Sequence, residues 1–242
     1  MQAILDIHHF SKTYPGGVKA VSDLSLTIEP GDIYGFIGKN GAGKTTTLRA
    51  AGGILQFNQG DILINGISVK SDPLACKKQI AFVPDNPDLY EFLTGHQYLH
   101  FIADLFMIPG TQRKERIDSY ARVLDLDSRL NDLISSYSHG MKQKLAMIGG
   151  FIHRPLLFLM DEPFVGLDPE AVVRVRQIIK DFCAQGSAVF FSTHVLEVAE
   201  KLCNKVAIIK DGRLIASGPT QQVRGDQSLE SYFLEVMGHA QP

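Results

Sequence analysis

The sequence predicts an α/β fold that combines a mixed, largely parallel sheet with an antiparallel β subdomain and an inserted α-helical subdomain. Two uniformly apolar runs, at residues 156–160 and 188–191, are typical of parallel strands that are covered on both faces. Between them, Asp168 can cap a helix, Pro169 suits its first turn, and apolar residues recur at three-to-four spacing as far as Gly186. These segments predict a strand-helix-strand unit, in which helices alternate with buried strands.

The remaining elements are predicted from the same two periodicities. Asn65-Gly66 and Asp211-Gly212 are hairpin dipeptides, so antiparallel pairing is expected near the start of the chain and near its end. From about residue 94 to residue 152 helical spacing replaces strand runs, which predicts a helical subdomain at about 86–155 inserted into a single domain over residues 1–242. Further strands are predicted at 4–10, 20–28, 32–37, 61–64, 80–83, 206–210 and 213–217.

Charge and cysteine usage argue against several functions. The chain has 24 Lys and Arg against 26 Asp and Glu, so its net charge of −2 gives no overall positive field to attract nucleic acid. Its three cysteines are far apart and predict free thiols in a reduced cytosol. The N-terminus does not resemble a secretory signal, and the most apolar stretch, 145–160, is interrupted and shorter than the roughly 20 residues that span a bilayer. We therefore expect any membrane role to depend on a partner.

The strongest motif is a glycine-rich loop that directly follows the predicted strand at 32–37. It fits G-x-x-x-x-G-K-[ST], the pattern of P-loop NTPases, in which glycines let successive backbone N–H groups approach phosphate oxygens. Lys44 is expected to neutralise the outer phosphates, and a glycine-rich turn before a helix is the alternative interpretation. Similarity to P-loop proteins adds a Mg²⁺ contact for Thr45 and a phosphate contact for Thr46. The predicted phosphate-binding residues are Gly38, Lys39, Asn40, Gly41, Ala42, Gly43, Lys44, Thr45 and Thr46.

Two adjacent carboxylates, Asp161 and Glu162, end the apolar strand at 156–160. Ligands of open α/β sheets bind beyond the carboxyl ends of the strands, so this pair and the glycine-rich loop should lie at one edge of the sheet. We expect Asp161 to hold the water shell of Mg²⁺ and Glu162 to polarise a water for in-line attack on a γ-phosphate. Taken alone, an acidic pair before Pro163 is a helix cap or a turn about as often as it is a functional pair.

A third cluster, Ser138-His139-Gly140-Met141-Lys142-Gln143, begins with a serine that can cap the following helix. With this cluster just upstream of Asp-Glu-Pro, the chain resembles the ATP-binding subunit of an ATP-binding cassette (ABC) transporter over almost its whole length. The resemblance implies a P-loop NTPase core, with ATP and Mg²⁺ as cofactors. It also implies that Ser138 and Gly140 contact the γ-phosphate of a nucleotide held by a second cassette. His139 stands where many members of the family have glycine.

Further positions match the family in order and spacing. Asp168 ends a Gly-Leu-Asp tripeptide that resembles the D-loop, and His194 ends a Ser-Thr-His tripeptide that resembles the switch histidine. Tyr14, which lies 24 positions before Gly38, matches an aromatic residue that stacks on adenine. Considered without the resemblance, Asp168 can be a helix cap, His194 a polar cap after a strand, and Tyr14 a turn residue.

One position departs from the family pattern. After the predicted strand at 80–83 the family has Pro-Gln, whose glutamine touches Mg²⁺ and links the nucleotide to the membrane partner, whereas this chain has Pro84-Asp85. Two interpretations stay open: Asp85 binds the metal, directly or through water, or it shapes the turn at 84–87.

The resemblance also implies partners. A second cassette, identical or different, is expected to pair head to tail with this one, and integral membrane permease subunits are expected to dock against the helical insertion and the loop at Asp85. This would place the chain in the cytoplasm, on the inner face of the cell membrane. Four aromatic residues near that loop either form part of the docking groove or belong to the core. They are Tyr90, Phe92, Tyr98 and Phe101.

The function predicted from the sequence is ATP hydrolysis that powers transport through separate membrane subunits. The sequence of the cluster at 138–143, which matches the signature motif of the family, and the segment at 228–234 resemble exporter-type (ABC-2) cassettes, which favours export. Two alternatives are a non-hydrolysing regulatory ATP-binding partner and a soluble ABC ATPase that takes no part in transport. Glu162 and His194 argue against the first of these.

Overall fold

The computed structural model describes residues 2–238, which form two sheets and the helices around them. The first sheet has four antiparallel strands in the order β2-β1-β4-β5, and Leu5 of its central strand pairs with both Ile28 and Ile64. Its three longer strands were predicted, and the two-residue β5 was not. The strands are β1 (Leu5–Thr13), β2 (Lys19–Ile28), β4 (Gln59–Ile64) and β5 (Ile67–Ser68).

The second sheet contains β3, the strand that the glycine-rich loop directly follows. Its six strands have the order β10-β9-β3-β8-β7-β6, with β3 in the interior between β8 and β9. All neighbouring pairs are parallel except β9 and β10, which form the predicted hairpin at Asp211-Gly212. The strands are β3 (Ile33–Ile37), β6 (Ile80–Val83), β7 (Leu157–Asp161), β8 (Ala188–Thr193), β9 (Lys205–Lys210) and β10 (Arg213–Pro219).

Strands β7 and β8 are buried on both faces, as their uniformly apolar sequences predict. Phe158 and Met160 of β7 face one hydrophobic cluster, shared with the helices, whereas Leu157 and Leu159 face another, shared with the four-stranded sheet. The period of two along each strand therefore divides the interior into two cores on opposite sides of the six-stranded sheet.

Helices connect the parallel strands. The strand-helix-strand unit predicted from the sequence is present, and the side chain of Asp168 accepts a hydrogen bond from the N–H of Ala171 at 2.8 Å to cap its helix, α6. The helices are α1 (Lys44–Ala51), α2 (Pro73–Lys77), α3 (Gly95–Leu105), α4 (Gly110–Val123), α5 (His139–Ile152), α6 (Pro169–Ala184), α7 (Leu196–Leu202), α8 (Thr220–Arg224) and α9 (Leu229–Gly238). None of the helices within residues 2–238 is long and apolar enough to cross a bilayer.

The chain between β6 and β7 is helical, as predicted, and contains α3, α4, α5 and two short 3₁₀ turns. A reciprocal capping box between Thr94 and Gln97 begins α3. Backbone bonds tie the start of this region to the segment that precedes α5: the N–H of Ile134 donates to Leu93, and the N–H of Ser135 donates to Glu91. That this region is a separate subdomain with bounds near 86–155 stays a prediction.

The C-terminal end of α5 is followed by a partly buried histidine, His153. The ring of His153 stacks on Phe106, with centroids 3.7 Å apart and an interplanar angle of 5°. Burial lowers the pKa of His153 from 6.5 to about 4, because the charged imidazolium loses its hydration there. The folded chain therefore holds this imidazole neutral throughout the physiological pH range.

This burial predicts a loss of stability in mild acid. Between the two pKa values the unfolded chain binds a proton that the folded chain does not, so the free energy of unfolding falls as the pH falls. His153→Phe keeps an aromatic ring against Phe106 and removes the titration. We expect the wild type to lose on the order of 1–2 kcal/mol more than the variant between about pH 7 and pH 5, measured by urea unfolding. Equal losses in the two proteins would contradict the prediction.

Candidate functional site

The glycine-rich loop lies between β3 and α1, where backbone must pass close to backbone. A Cβ on Gly38 would lie 2.6 Å from the carbonyl oxygen of Ile209, and one on Gly43 would lie 2.6 Å from that of Ala20. Gly43 also has φ +108, in the left-handed region, at the residue that precedes the first turn of α1. Only glycine fits these two places, so the loop turns tightly and directs the first N–H groups of α1 outward.

Lys44 is buried, with 6% of its side chain exposed, and its ammonium is surrounded by oxygen atoms. Nζ donates to the carbonyl of Gly38 at 2.7 Å and to that of Lys39 at 3.3 Å. Oε1 of Glu162 lies 3.7 Å from the same nitrogen. The loop therefore fixes one cation at its centre, directly opposite a carboxylate.

The two carboxylates at the end of β7 are linked through the neighbouring strand. Asp161 pairs in register with Ser192 of β8. The Ser192 hydroxyl donates to Oδ1 of Asp161 and accepts the N–H of Glu162 at 3.0 Å. All of Ser192 and nearly all of Asp161 are buried, so this hydroxyl satisfies polar groups that water cannot reach.

His194 completes a chain of charged and polar groups. Its Nδ1 lies 3.0 Å from Oε2 of Glu162, and its backbone N–H donates to the same oxygen at 3.3 Å. Glu162 is 13% exposed and His194 is 56% exposed, so this series of contacts runs from the buried Lys44 outward to solvent. The carboxylate of Glu162 thus lies between Lys44 of the glycine-rich loop and His194.

Glu162 takes up an unfavourable backbone conformation. Its φ is +46, in the left-handed region, which for a residue other than glycine, asparagine or aspartate costs on the order of 1–3 kcal/mol. This torsion follows immediately after the last residue of β7. The bend directs the backbone N–H to Ser192 while the side chain reaches Lys44 and His194.

These groups surround a cavity of about 370 Å³. Its lining brings together the glycine-rich loop, the two acids and Asp85, which the sequence places far apart. Ala20 of β2 also contributes and was not predicted. The lining residues are Ala20, Asn40, Gly41, Gly43, Lys44, Thr45, Thr46, Asp85, Asp161 and Glu162.

The oxygen donors at this cavity are suited to a magnesium ion. Thr45 offers a hydroxyl, and Asp85 and Asp161 offer carboxylates, the hard ligands that Mg²⁺ takes together with phosphate oxygens and water. Within residues 2–238, no group of three or more His, Cys, Asp and Glu side chains is arranged to hold a metal by itself. The donor set therefore fits a magnesium ion whose coordination shell is completed by a phosphorylated ligand.

Tyr14 lies outside the lining of this cavity, at the start of the β1–β2 hairpin. Its hydroxyl is 3.3 Å from Oγ1 of Thr46, a cavity residue on α1. Tyr14 as a whole residue is 37% exposed. An aromatic face is therefore available beside the phosphate loop.

Ser138 and Gly140 of the third cluster and Asp168 share another surface of the chain. Ser138 caps α5 by accepting the N–H of Met141 at 3.3 Å, and a Cβ on Gly140 would lie 2.5 Å from the carbonyl of Gly166. Asp168 is exposed, and a hydrogen bond from Lys144 together with the N–H of Ala171 lowers its pKa. Ser138, Gly140 and Asp168 do not line the cavity of their own chain.

The four aromatic residues near Asp85 have two different environments. Tyr90, Phe92 and Phe101 are exposed and pack on one another, with ring centroids 5.9 Å apart for Tyr90 and Phe92 and 5.6 Å apart for Tyr90 and Phe101. Tyr98 instead packs against the core, and burial raises its pKa to about 12. Three aromatic side chains therefore form a surface cluster, and the fourth supports the helical region.

With the glycine-rich loop, the acidic strand end and the capped signature helix arranged in this way, the molecule has the architecture of a P-loop ATP-binding cassette. A family model described as "ABC transporter" matches residues 21–165, more than half of the chain. The chain therefore belongs to the ABC transporter family, as an ATP-binding protein, and proteins of this family bind ATP.

Individual relatives agree with this assignment. The chain is 35% identical over 237 residues to the ABC transporter ATP-binding protein YhcH of Bacillus subtilis (strain 168), covering 98% of this chain and 76% of the relative. It is 35% identical to the SkfA peptide export ATP-binding protein SkfE of the same organism, covering 88% of this chain and 87% of the relative. A solved structure described as the ATP-binding subunit of an ABC transporter superposes with a TM-score of 0.93 at 30% identity, covering 97% of this chain and 99% of that one.

Proposed function

We propose that this cassette binds MgATP at the described cavity and hydrolyses it, and that hydrolysis powers transport by separate integral membrane subunits. The observation that carries the proposal is the contact of one carboxylate, Glu162, with both Lys44 of the phosphate loop and His194. A cassette that only binds ATP has no need of a base placed beside the lysine that holds the outer phosphates.

The cavity supplies the groups that in-line phosphoryl transfer to water requires. The loop amides and Lys44 bind the β- and γ-phosphates, which positions the terminal phosphorus and balances its charge. Glu162 accepts the proton of the attacking water, the backbone N–H of His194 orients Glu162, and the imidazole of His194 donates its hydrogen bond to the γ-phosphate. Thr45, Asp161 and Asp85 would hold Mg²⁺, which would offset the negative charge of the phosphates.

Groups outside this cavity complete the nucleotide-binding site. Tyr14 stacks on adenine, because its exposed ring lies next to Thr46. Ser138, Gly140 and Asp168 lie on a surface that the chain does not use for its own cavity. A second cassette, related by a two-fold axis, places its Ser138 helix against the γ-phosphate, so that ATP joins the two chains.

Permease docking is assigned to the exposed aromatic cluster of Tyr90, Phe92 and Phe101. Glu91, between the first two, forms an ion pair with Lys142 of the signature helix, and its carbonyl accepts the N–H of Ser135. A partner that binds this cluster is therefore connected mechanically to the helix that Ser138 caps. Such docking would hold the chain at the cytoplasmic face of the membrane, and the similarity to a peptide export protein supports export.

The first test replaces the assigned base. Glu162→Gln keeps the size of the side chain but cannot accept a proton, so we expect phosphate release to fall by about 10²- to 10⁴-fold while ATP binding is retained. The same variant should dimerise on adding ATP, measured by size-exclusion chromatography. Glu170→Gln, an exposed change on α6, should leave turnover unchanged, and Lys44→Ala should abolish ATP binding. Full turnover by Glu162→Gln would remove the assigned base.

The second test addresses the departure at Asp85. Asp85→Asn removes the charge at nearly constant size, and we expect the Mg²⁺ concentration for half-maximal ATP binding to rise about three- to tenfold, as the loss of roughly 1 kcal/mol of charge interaction implies. Asp88→Asn, an exposed change in the same loop, is the matched control. If both variants have the wild-type requirement for Mg²⁺, Asp85 shapes the turn and does not bind the metal.

The third test concerns the docking surface. Phe92 is 76% exposed, and Phe92→Ser should reduce the membrane-bound fraction of a tagged cassette, together with any integral protein that purifies with it. Binding of ATP to the isolated chain should not change. Leu74, on α2, is 63% exposed and lies outside the aromatic cluster, so Leu74→Ser controls for a general loss of apolar surface. Undiminished membrane association of Phe92→Ser would contradict the assignment.

A further inference from the structure

Lys12 covers the ring of Tyr14. It lies near the end of β1, and its ammonium nitrogen is 5.2 Å from the centroid of the Tyr14 ring, over the ring face. A cation at this distance is attracted by the electron-rich face of an aromatic ring. The same nitrogen donates a hydrogen bond to the carbonyl of Gln56 at 2.7 Å, which fixes where the charge lies.

Two contacts, one made by Tyr14 and one by Lys12, join the β1–β2 hairpin to α1 and to the loop that follows this helix. The hydroxyl of Tyr14 is 3.3 Å from Oγ1 of Thr46, in the first turn of α1. Gln56 lies in the loop just after the C-terminal end of the same helix. The hydroxyl of Tyr14 is therefore held by the first turn of α1, and Lys12 links the face of its ring to the loop that follows the helix.

The hairpin itself offers Tyr14 little other support. Every residue from Thr13 to Lys19 is exposed, and a Cβ on Gly16 or Gly17 would meet nothing within 4 Å. An aromatic side chain in such a turn samples several rotamers unless neighbouring elements restrict it. Lys12 and Thr46 provide that restriction.

We infer that Lys12 is a positioning residue for the nucleobase: it holds one face of Tyr14 so that the opposite face is presented to adenine. The inference rests on the proposed stacking role of Tyr14 and extends it to a residue that has no contact with the nucleotide. Since the ammonium lies on the covered face and bonds to Gln56, it acts on binding of the base and not on binding of the phosphates.

The experiment compares a ligand that has the base with one that lacks it. Lys12→Met keeps an apolar stem and removes the ammonium, and we expect the Kd of MgATP to rise about two- to fivefold while the Kd of inorganic tripolyphosphate stays unchanged, measured by calorimetry. Lys12→Arg retains a cation and a donor and should restore the wild-type Kd. Lys12→Met added to Tyr14→Ala should weaken ATP binding no further than Tyr14→Ala alone.

The chain contains a matched control. Nζ of Lys70 lies 4.4 Å from the centroid of the Phe57 ring and donates to the carbonyl of Gly60 at 2.7 Å, the same two kinds of contact at residues that do not line the cavity. Lys70→Met should change neither Kd.

Three results would overturn the inference: equal weakening of both ligands by Lys12→Met, unchanged binding of both ligands while Tyr14→Ala weakens ATP, or no effect of Tyr14→Ala on ATP. In the last case the stacking role also fails, but ATP binding at the phosphate loop stands. That proposal is tested separately, because Lys44→Ala must weaken tripolyphosphate as well as ATP.

Discussion

The buried ammonium of Lys44 is the constraint around which the site is built. An isolated ammonium removed from water costs several kcal/mol, so the fold must surround it with oxygen atoms. Two loop carbonyls and Glu162 do so, and each requires a feature of the fold. The carbonyls require the glycine-rich turn, and the carboxylate requires that β7 end opposite β3 with β8 between them. The oxygen atoms of a triphosphate are the same kind of partner for Lys44 as the two loop carbonyls and Glu162.

Local patterns were sufficient to predict most of the fold. The nine strands predicted from short β-branched or alternating runs are all present, with ends within three residues of those predicted. Apolar residues define a buried face in all of them except β10, which has no buried residue. The two-residue β5 has too few residues for any periodicity. The convergence of the glycine-rich loop with Asp161 and Glu162 was predictable because carboxyl ends of parallel strands meet at one edge.

Other features of the site depend on contacts between residues far apart in the chain. Ser192 joins the two carboxylates only because β8 lies beside β7 in a particular register, which no local pattern specifies. The available signal was a serine in an otherwise apolar strand, a buried polar group that needs partners. Likewise, the contacts of Lys12 with Tyr14 and Gln56 arise from how the hairpin sits on α1. Asp85 also lines the cavity, although it lies far along the chain from both the glycine-rich loop and the two acids.

The left-handed torsion at Glu162 sets folding against chemistry at a single peptide unit. Glycine adopts φ near +46 without strain, so it would suit the backbone better there than the residue the chain carries. Glycine there would also remove the carboxylate that lies 3.7 Å from the buried ammonium of Lys44, so relief of the torsion is set against loss of a partner for that charge. Thermal robustness and catalytic competence have to be scored separately whenever this part of the sequence is varied.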